Sequence, residues 1–387
     1  MKKGLITALA LVGSLTGCST LHDWFYSRSG KEVPPSPLPK VSDQGAQPFI
    51  PLWTGSAGNG TGKQFLHLAP LVLEGRLLVA SADGRVAAYE IATGKLAWET
   101  QTEIPISGGT GGGDGLVVVA GTKGEVVTLD LTNGRELWRT TLSSEVLSPP
   151  KVADGVVVIR SIDGRVAGLA ANNGNRLWVF NRNMPTLSLR GTSAPILAPG
   201  RVFIGLDSGR LIALGLRDGR LLWETPIAQP KGRSELERLA DIDADPVLMG
   251  TTLYVVSYQG RVMAIDGENG QVRWSKDMSS VAGLGVDRDM VFVSDDEGII
   301  WGLERRTGAA LWRQDAFKGR SPTAPTPYGN AIVLGDFEGY LHAVSREDGR
   351  IVAQTRIDSS PLYVPPLLHA AVLYAVSSGG TVAALRD

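Results

Sequence analysis

SADGRVAAYEIATGKLAW (residues 81–98) returns as GTKGEVVTLDLTNGRELW at 121–138 and as SIDGRVAGLAANNGNRLW at 161–178. Each copy has one glycine, a second glycine ten residues later and a tryptophan four residues beyond that. The first glycine recurs eight times, at Gly84, Gly124, Gly164, Gly209, Gly260, Gly298, Gly339 and Gly380. Six copies have the tryptophan, the seventh has Ala353, and the eighth reaches Asp387 before its second glycine. The chain therefore contains eight repeats of about 42 residues, a period typical of propellers, solenoids or arrays.

The pattern inside one repeat predicts β-strands. A β-branched run such as Val156–Ile159 precedes each first glycine, and an alternating run such as Arg85–Tyr89 follows it. This is the period of two expected of strands, and Asp-Gly, Lys-Gly or Asn-Gly pairs between the runs are typical of tight turns. One repeat is therefore predicted to be a four-stranded antiparallel meander, with the tryptophan on its last strand.

The predicted fold class is all-β, an eight-bladed β-propeller. One four-stranded sheet cannot bury both of its faces, whereas eight sheets around an axis bury one another's faces. The regularly spaced tryptophans are expected to pack against the neighbouring blade rather than to bind a ligand. The eighth repeat lacks its last strand, and Leu52-Trp53 matches the Leu-Trp of the other repeats. We expect this N-terminal segment to close the ring, which makes 49–387 one domain.

The N-terminal region carries a secretory signal pattern. Residues 1–17 combine Lys2-Lys3, an apolar run and small residues, and the apolar run is too short to span a bilayer. Leu-Thr-Gly-Cys, ending at Cys18, resembles the bacterial lipobox, which implies acylation of that cysteine and an anchor of several lipid chains. The alternative is an incidental cysteine after an ordinary signal peptide. Residues 18–48 are rich in Pro, Ser, Gly and Lys towards their end, which predicts a flexible tether.

Composition gives no indication of catalysis, metal binding or nucleic-acid binding. The net charge is −1, and without residues 1–17 it is −3, which does not favour a nucleic-acid partner. Four scattered histidines and one cysteine provide no metal-ligand spacing. The glycine-rich run 108–113 lacks the Gly-Lys-Ser/Thr ending of a phosphate loop and leads into a strand. We therefore predict no catalytic, cofactor-binding or metal-binding residues.

Two connectors between repeats interrupt the period. From the tryptophan to the next first glycine, most repeats take 24–27 residues, but two consecutive repeats take 31 and 37. Both connectors run from an outer strand to the next inner strand, so they are expected side by side on one face. The first contains Leu187, Leu189 and Arg190, and the second contains Asp241 and Asp243. Exposed leucines and arginine are typical of a docking surface, although local packing of the leucines and simple solvation of the acids remain alternatives.

These two connectors resemble those of a known family. MPTLSLRG and ERLADIDADP, on a Trp-repeat propeller behind a lipobox, are similar to the BamB family of the outer-membrane β-barrel assembly machinery. The resemblance implies a non-enzymatic scaffold, lipid-anchored in the outer membrane and facing the periplasm. It also implies that Leu187, Leu189, Arg190, Asp241 and Asp243 dock on the POTRA domains of the central subunit BamA. Exposed blade edges could in addition pair with strands of nascent outer-membrane proteins.

Two alternative functions remain. The Gly-Gly-Trp repeat also resembles that of quinoprotein dehydrogenases, which implies a pyrroloquinoline quinone with calcium, a catalytic Asp and, in many members, a disulfide between adjacent cysteines. This chain has a single cysteine and no acidic cluster that clearly matches that metal site. The other alternative is a periplasmic propeller that binds glycan or peptidoglycan.

Overall fold

The structure is a computed structural model that describes residues 34–42, 49–182, 189, 191–228 and 239–386. The predicted signal peptide and Cys18 lie outside the described residues. Within the described ranges there is no helix that is long and apolar enough to cross a membrane.

The described residues form thirty-two strands and contain no helix. In the first half of the chain the strands are β1 (Ile50–Ser56), β2 (Leu71–Leu73), β3 (Arg76–Ala80), β4 (Arg85–Glu90), β5 (Leu96–Gln101), β6 (Ile106–Gly113), β7 (Leu116–Gly121), β8 (Glu125–Asp130), β9 (Glu136–Thr141), β10 (Lys151–Ala153), β11 (Val156–Arg160), β12 (Arg165–Ala170), β13 (Arg176–Asn181), β14 (Ile196–Ala198), β15 (Arg201–Gly205) and β16 (Arg210–Gly215). In the second half they are β17 (Leu221–Pro226), β18 (Val247–Met249), β19 (Thr252–Val256), β20 (Arg261–Asp266), β21 (Val272–Asp277), β22 (Gly283–Val286), β23 (Met290–Ser294), β24 (Ile300–Glu304), β25 (Ala310–Gln314), β26 (Thr326–Tyr328), β27 (Ala331–Gly335), β28 (Tyr340–Ser345), β29 (Ile351–Arg356), β30 (Leu367–His369), β31 (Val372–Val376) and β32 (Thr381–Arg386).

These strands form eight antiparallel four-stranded units, here called blades. Blade 1 is β2–β5, blade 2 is β6–β9, and the pattern continues to blade 7, β26–β29. Blade 8 is β30–β32 with β1 as its outer strand. The two middle strands of each blade are almost entirely buried, whereas the outer strand alternates between buried and exposed residues. The prediction of an all-β propeller with a four-stranded meander per repeat is confirmed.

The first strands of successive blades lie next to each other at the inside of the ring. Blades 2 and 3 approach so closely there that β6 and β10 form one parallel bridge, between Gly112 and Lys151. A Cβ on Gly111 would lie 1.8 Å from the carbonyl oxygen of Pro150, so only glycine fits this contact. Gly111 and Gly113 of the glycine-rich run are thus explained by the close packing of two inner strands.

Hydrophobic clusters hold neighbouring blades together. Each of eight buried clusters draws residues from two consecutive blades, for example Val118 of blade 2 with Val157 of blade 3. The eighth cluster joins Leu77 of blade 1 to Tyr374 of blade 8. The clusters therefore link the blades in a cycle, as expected when each sheet buries its faces against its neighbours.

Tryptophan residues fasten seven of the eight blades to the next one. The indole N–H donates to a backbone carbonyl in the following blade at 2.7–3.1 Å, as in Trp138 to Ala171. The second glycine of that following blade lies against the indole, and a Cβ on Gly174 would come within 2.5 Å of Trp138. The fixed Gly-Trp spacing therefore encodes a contact between blades, as predicted.

The N-terminal strand completes blade 8. β1 pairs antiparallel with β32, from Ile50 opposite Arg386 to Ser56 opposite Thr381. Trp53 takes the place of the missing tryptophan, since its Nε1 donates to the carbonyl of Ile91 in blade 1 at 3.1 Å. The predicted pairing of this N-terminal segment with the last repeat is confirmed.

Blade 7 is the exception that carries alanine instead of tryptophan. A tryptophan at this position would have to dock on a turn between the third and fourth strands of blade 8. Blade 8 has no such turn, because its fourth strand, β1, comes from the other part of the chain. Ala353 is instead buried in a cluster with Leu362, Leu373 and partly buried Phe49. The departure from the repeat at Ala353 thus follows from the way the ring is closed.

Candidate functional site

The two long connectors lie between blades 3, 4 and 5. The first runs from β13 to β14 and the second from β17 to β18. Both lead from an outer strand to the next inner strand, so they lie on the same face of the ring, which we call the connector face. Leu187 and Arg190 of the first connector, and residues 229–238 of the second, lie outside the described residues.

Aspartates of the second connector bind backbone N–H groups of the first. The Asp241 carboxylate accepts a hydrogen bond from the backbone N–H of Leu189. Asp245 Oδ1 accepts one from the N–H of Ala194 at 2.6 Å. Irregular backbone that is buried needs such partners, because it has no strand ladder to satisfy it. The two connectors are therefore joined by carboxylate-to-backbone bonds.

The second connector is in turn fixed to the blades beneath it. The Ile242 N–H donates to the carbonyl of Leu206 in blade 4 at 3.3 Å, and Tyr258 N–H of blade 5 donates to the carbonyl of Asp241 at 2.9 Å. The Ile242 side chain is fully buried, and a Cβ on Gly205 would lie 2.4 Å from it. This connector segment is thus part of the packed ring.

A buried ion pair lies close to the joined connectors. Arg160, at the end of β11, pairs with Asp207 of blade 4, and both side chains are at most 3% exposed. Arg160 Nη1 also lies 3.5 Å from Ser193 Oγ of the first connector. One buried arginine thus faces a group of three carboxyls, those of Asp207, Asp241 and Asp243.

The electrostatics favour neutral carboxyl groups in the second connector. Burial raises the pKa of Asp243 to about 8, and the charges of Asp241 and Asp207 add to this rise while Arg160 opposes it. Burial likewise raises the pKa of Asp241 to about 7, against the hydrogen bond from Leu189 N–H. Loss of hydration disfavours the charged form of a carboxyl, and a neighbouring carboxylate adds to this effect. Both carboxyls therefore keep their protons to a higher pH than an exposed aspartate does.

The structure describes three of the five candidate docking residues, namely Leu189, Asp241 and Asp243. Leu189 is only 8% exposed and Asp241 is fully buried, so these two side chains are not on the surface of the ring. Asp243 is partly exposed as a residue, but both of its carboxylate oxygens are buried. Leu187 and Arg190 lie outside the described residues. The docking role of all five remains a prediction.

Sequence reasoning missed the ion pair of Arg160 and Asp207. The available signal was a charged residue directly after the β-branched run Val156–Ile159, at a position where the other repeats have Ala, Gly, Val or Ser. Among the described residues no group of three or more His, Cys, Asp or Glu side chains has the arrangement of a metal site.

Comparison with known proteins identifies several relatives. The sequence profile of a family described as "Outer membrane protein assembly factor BamB" matches residues 51–107, 82–314 and 302–387. A protein of that name from Pseudomonas aeruginosa is 47% identical, over 97% of this chain and 97% of its own.

Solved structures of other proteins have the same propeller fold. The crystal structure of BamB from Moraxella catarrhalis superposes with a TM-score of 0.80 at 28% identity, covering 88% of this chain and all of that one. A quinohemoprotein alcohol dehydrogenase from Comamonas testosteroni reaches a TM-score of 0.69 at 12% identity, covering 87% and 76% of the two chains. At that identity the second likeness concerns the fold alone.

Proposed function

Because the chain belongs to the BamB family of outer membrane protein assembly factors, we propose that it is a periplasmic scaffold for that assembly. It docks on the POTRA domains of a BamA-like central subunit and orients that subunit while barrel proteins fold and insert. The family's role is assembly and not catalysis, and quinoprotein dehydrogenases share only the propeller fold with this chain.

The joined connectors are the observation that supports this proposal most directly. Hydrogen bonds from Leu189 to Asp241 and from Ala194 to Asp245 hold two neighbouring connectors in one arrangement. A preorganised surface loses less conformational entropy when a partner binds. We therefore assign Leu187 and Arg190 to direct contact with the partner. Leu189 and Asp241 support that contact from within, because their hydrogen bond fixes the backbone of the connectors. Asp243 supports it by packing against Gly191 of the first connector.

A binding experiment with charge reversal tests the docking surface. Arg190→Glu is expected to lower capture of the purified periplasmic domains of the BamA-like subunit by tenfold or more, since central interface arginines often contribute about 2 kcal/mol or more. Arg217→Glu is the matched control, because exposed Arg217 lies in the turn between β16 and β17 on the opposite face. Equal capture by the two variants, measured by surface plasmon resonance, would refute the assignment of the connector face.

The proposed location depends on acylation of Cys18. We propose that lipid chains on this residue hold the protein at the outer membrane, as the lipobox pattern predicts. Cys18→Ser is then expected to move the protein from the membrane fraction to the soluble periplasmic fraction, because a chain without acyl groups lacks the anchor. Recovery of the variant in the outer membrane at the wild-type level, in cells that lack the partner subunit, would contradict this proposal. Pairing of outer strands with nascent barrel proteins remains a further prediction.

A further inference from the structure

Part of the predicted tether lies against the ring. Residues 34–42 run from the connector between blades 6 and 7 to the outer strand of blade 7. The backbone N–H of Ser36 donates to the carbonyl of Lys318 at 2.9 Å, and that of Ser42 donates to the carbonyl of Ile351 at 2.8 Å. Val41 is partly buried and packs against the apolar cluster between blades 6 and 7.

A buried arginine receives the same segment. Arg320 is 2% exposed, and its Nη1 donates to the carbonyl of Ser36 at 3.0 Å. Its other nitrogens bind Asp336 at 2.6 and 3.0 Å and also bind Glu338. Asp336 is fully buried and also bonds to His342 Nε2 at 3.0 Å. A buried guanidinium needs partners for its charge, and the carboxylates of Asp336 and Glu338 provide them. They also orient Arg320 so that its Nη1 donates to the segment.

The ring surface is shaped to admit the segment. Gly319 has a φ of +68°, and a Cβ on it would lie 2.9 Å from the Cα of Pro35. Pro39 is buried, and Pro34, Pro35 and Pro37 restrict the segment to extended conformations before it binds. This preorganisation reduces the entropy lost when the segment is ordered on the ring.

We propose that residues 34–42 are a strap that docks on blades 6 and 7 and connects the N-terminal tether to the ring there. Without the strap, mechanical force on the tether would be transmitted directly to β1, the edge strand that closes blade 8. With the strap docked, the force is transmitted to the connector at 318–320 and to β29, which bind Ser36 and Ser42. This connector leads from an outer to an inner strand, so Ser36 lies on the connector face. The strap itself is independent of the proposed partner and of the proposed lipid on Cys18.

Trypsin cleavage of the full-length protein after exposed Lys40 tests the strap. A protease cuts a docked segment only when it is transiently released, so the rate reports the released fraction. We expect Gly319→Ala, which sets a Cβ against Pro35, to raise the rate of this cut by roughly tenfold or more. Gly200→Ala is the matched control, because Gly200 has a φ of +69° and nothing within 4 Å of the added Cβ.

Val41→Asn provides a second variant that leaves the ring unchanged and adds no charge next to the cleaved bond, and it decides the test if Gly319→Ala fails to fold. It is expected to speed the cut after Lys40 to a similar extent, because an amide group packs poorly against the apolar cluster between blades 6 and 7. The proposal is overturned if Val41→Asn is cut no faster than wild type, or if folded Gly319→Ala is cut no faster than Gly200→Ala. Neither outcome depends on whether the connectors bind a BamA-like subunit.

Discussion

Asp243 has two buried carboxylate oxygens without a hydrogen-bond partner among the described residues. Gly191 of the first connector lies against it, since a Cβ there would be 2.9 Å from the carboxyl carbon. An ionised carboxylate in this buried position would have no hydrogen-bond donor among the described residues, and it would lie near Asp241 and Asp207. Protonation removes that cost, which is why the pKa of Asp243 is raised to about 8.

The raised pKa makes a prediction about stability and pH. The unfolded chain releases this proton near pH 4, whereas the folded protein keeps it to about pH 8. Stability from the protonated group is therefore complete below pH 4 and is lost as the pH rises to 8, by at most about 1.4 kcal/mol per pH unit for one carboxyl. Asp243→Asn is expected to lose less unfolding free energy than wild type between pH 5 and 8.5, as measured by denaturant titration.

Exposed Asp154, in the hairpin between β10 and β11, provides the control for this change. Asp154→Asn should show the same difference in unfolding free energy between pH 5 and pH 8.5 as the wild type. A residual pH dependence in Asp243→Asn is expected, because burial also raises the pKa of Asp241, to about 7. If Asp243→Asn lost as much unfolding free energy as the wild type between these pH values, Asp243 would be ionised in the folded protein at neutral pH.

At the scale of the element, the outer strands of seven blades are held by a tryptophan that contacts a turn of the next blade. Trp312 of β25 has such a turn, since its Nε1 donates to the carbonyl of Arg346 in blade 7 at 2.7 Å. The equivalent residue of β29, Ala353, has no turn to meet. We therefore expect Ala353→Trp to destabilise the protein by about 1–3 kcal/mol, because it overfills a packed site without gaining a hydrogen bond.

Leu311→Trp is the matched control for the added indole, because Leu311 is 58% exposed and adjacent to Trp312. Its effect on the free energy of unfolding should stay within about 0.5 kcal/mol. Thermal and denaturant unfolding of both variants would check the comparison. A gain in stability for Ala353→Trp would show that blade 8 does offer a tryptophan site.

The elements also mark the limit of what the sequence predicts. Strands, hairpins and the Trp contacts follow from local patterns, namely a period of two, turn glycines and a fixed spacing to Trp138 or Trp178. The bond from Leu189 to Asp241 joins residues that are 52 positions apart in irregular backbone, where no periodicity exists. Sequence reasoning therefore located both connectors, but it could not distinguish a carboxylate that supports them from one on their surface. It also treated residues 34–42 as a tether, because nothing local reveals Arg320 beneath them.

At the scale of the whole molecule, the ring is closed at blade 8, where β1 pairs with β32 although the two strands are far apart in sequence. We call this pairing the joint of the ring. Seven blades are continuous in sequence, but β1 and β32 of blade 8 are held together by strand pairing. Blade 1 secures β1 from the other side: the Tyr89 hydroxyl donates to the Ser56 carbonyl at 2.7 Å and accepts from the Ser56 N–H at 3.1 Å. Trp53 adds its contact with Ile91 and Gly94. In a repeat protein whose units contact only their neighbours, such a joint is where opening is expected to start.

Trp53→Ala and Trp178→Ala compare this joint with an ordinary one. Both variants lose an indole that contacts the next blade, at a cost of roughly 3–5 kcal/mol for buried Trp178 and less for partly buried Trp53. Trp178 joins blades 3 and 4, which the chain also connects, so its loss should raise hydrogen exchange mainly in β12, β13, β15 and β16. Trp53→Ala should raise exchange in β1, β31 and β32 together with β3 and β4, since both ends of the ring are released. Mass spectrometry of exchanged peptides separates these patterns, and identical spread from the two sites would mean that the joint is no weaker than the rest of the ring.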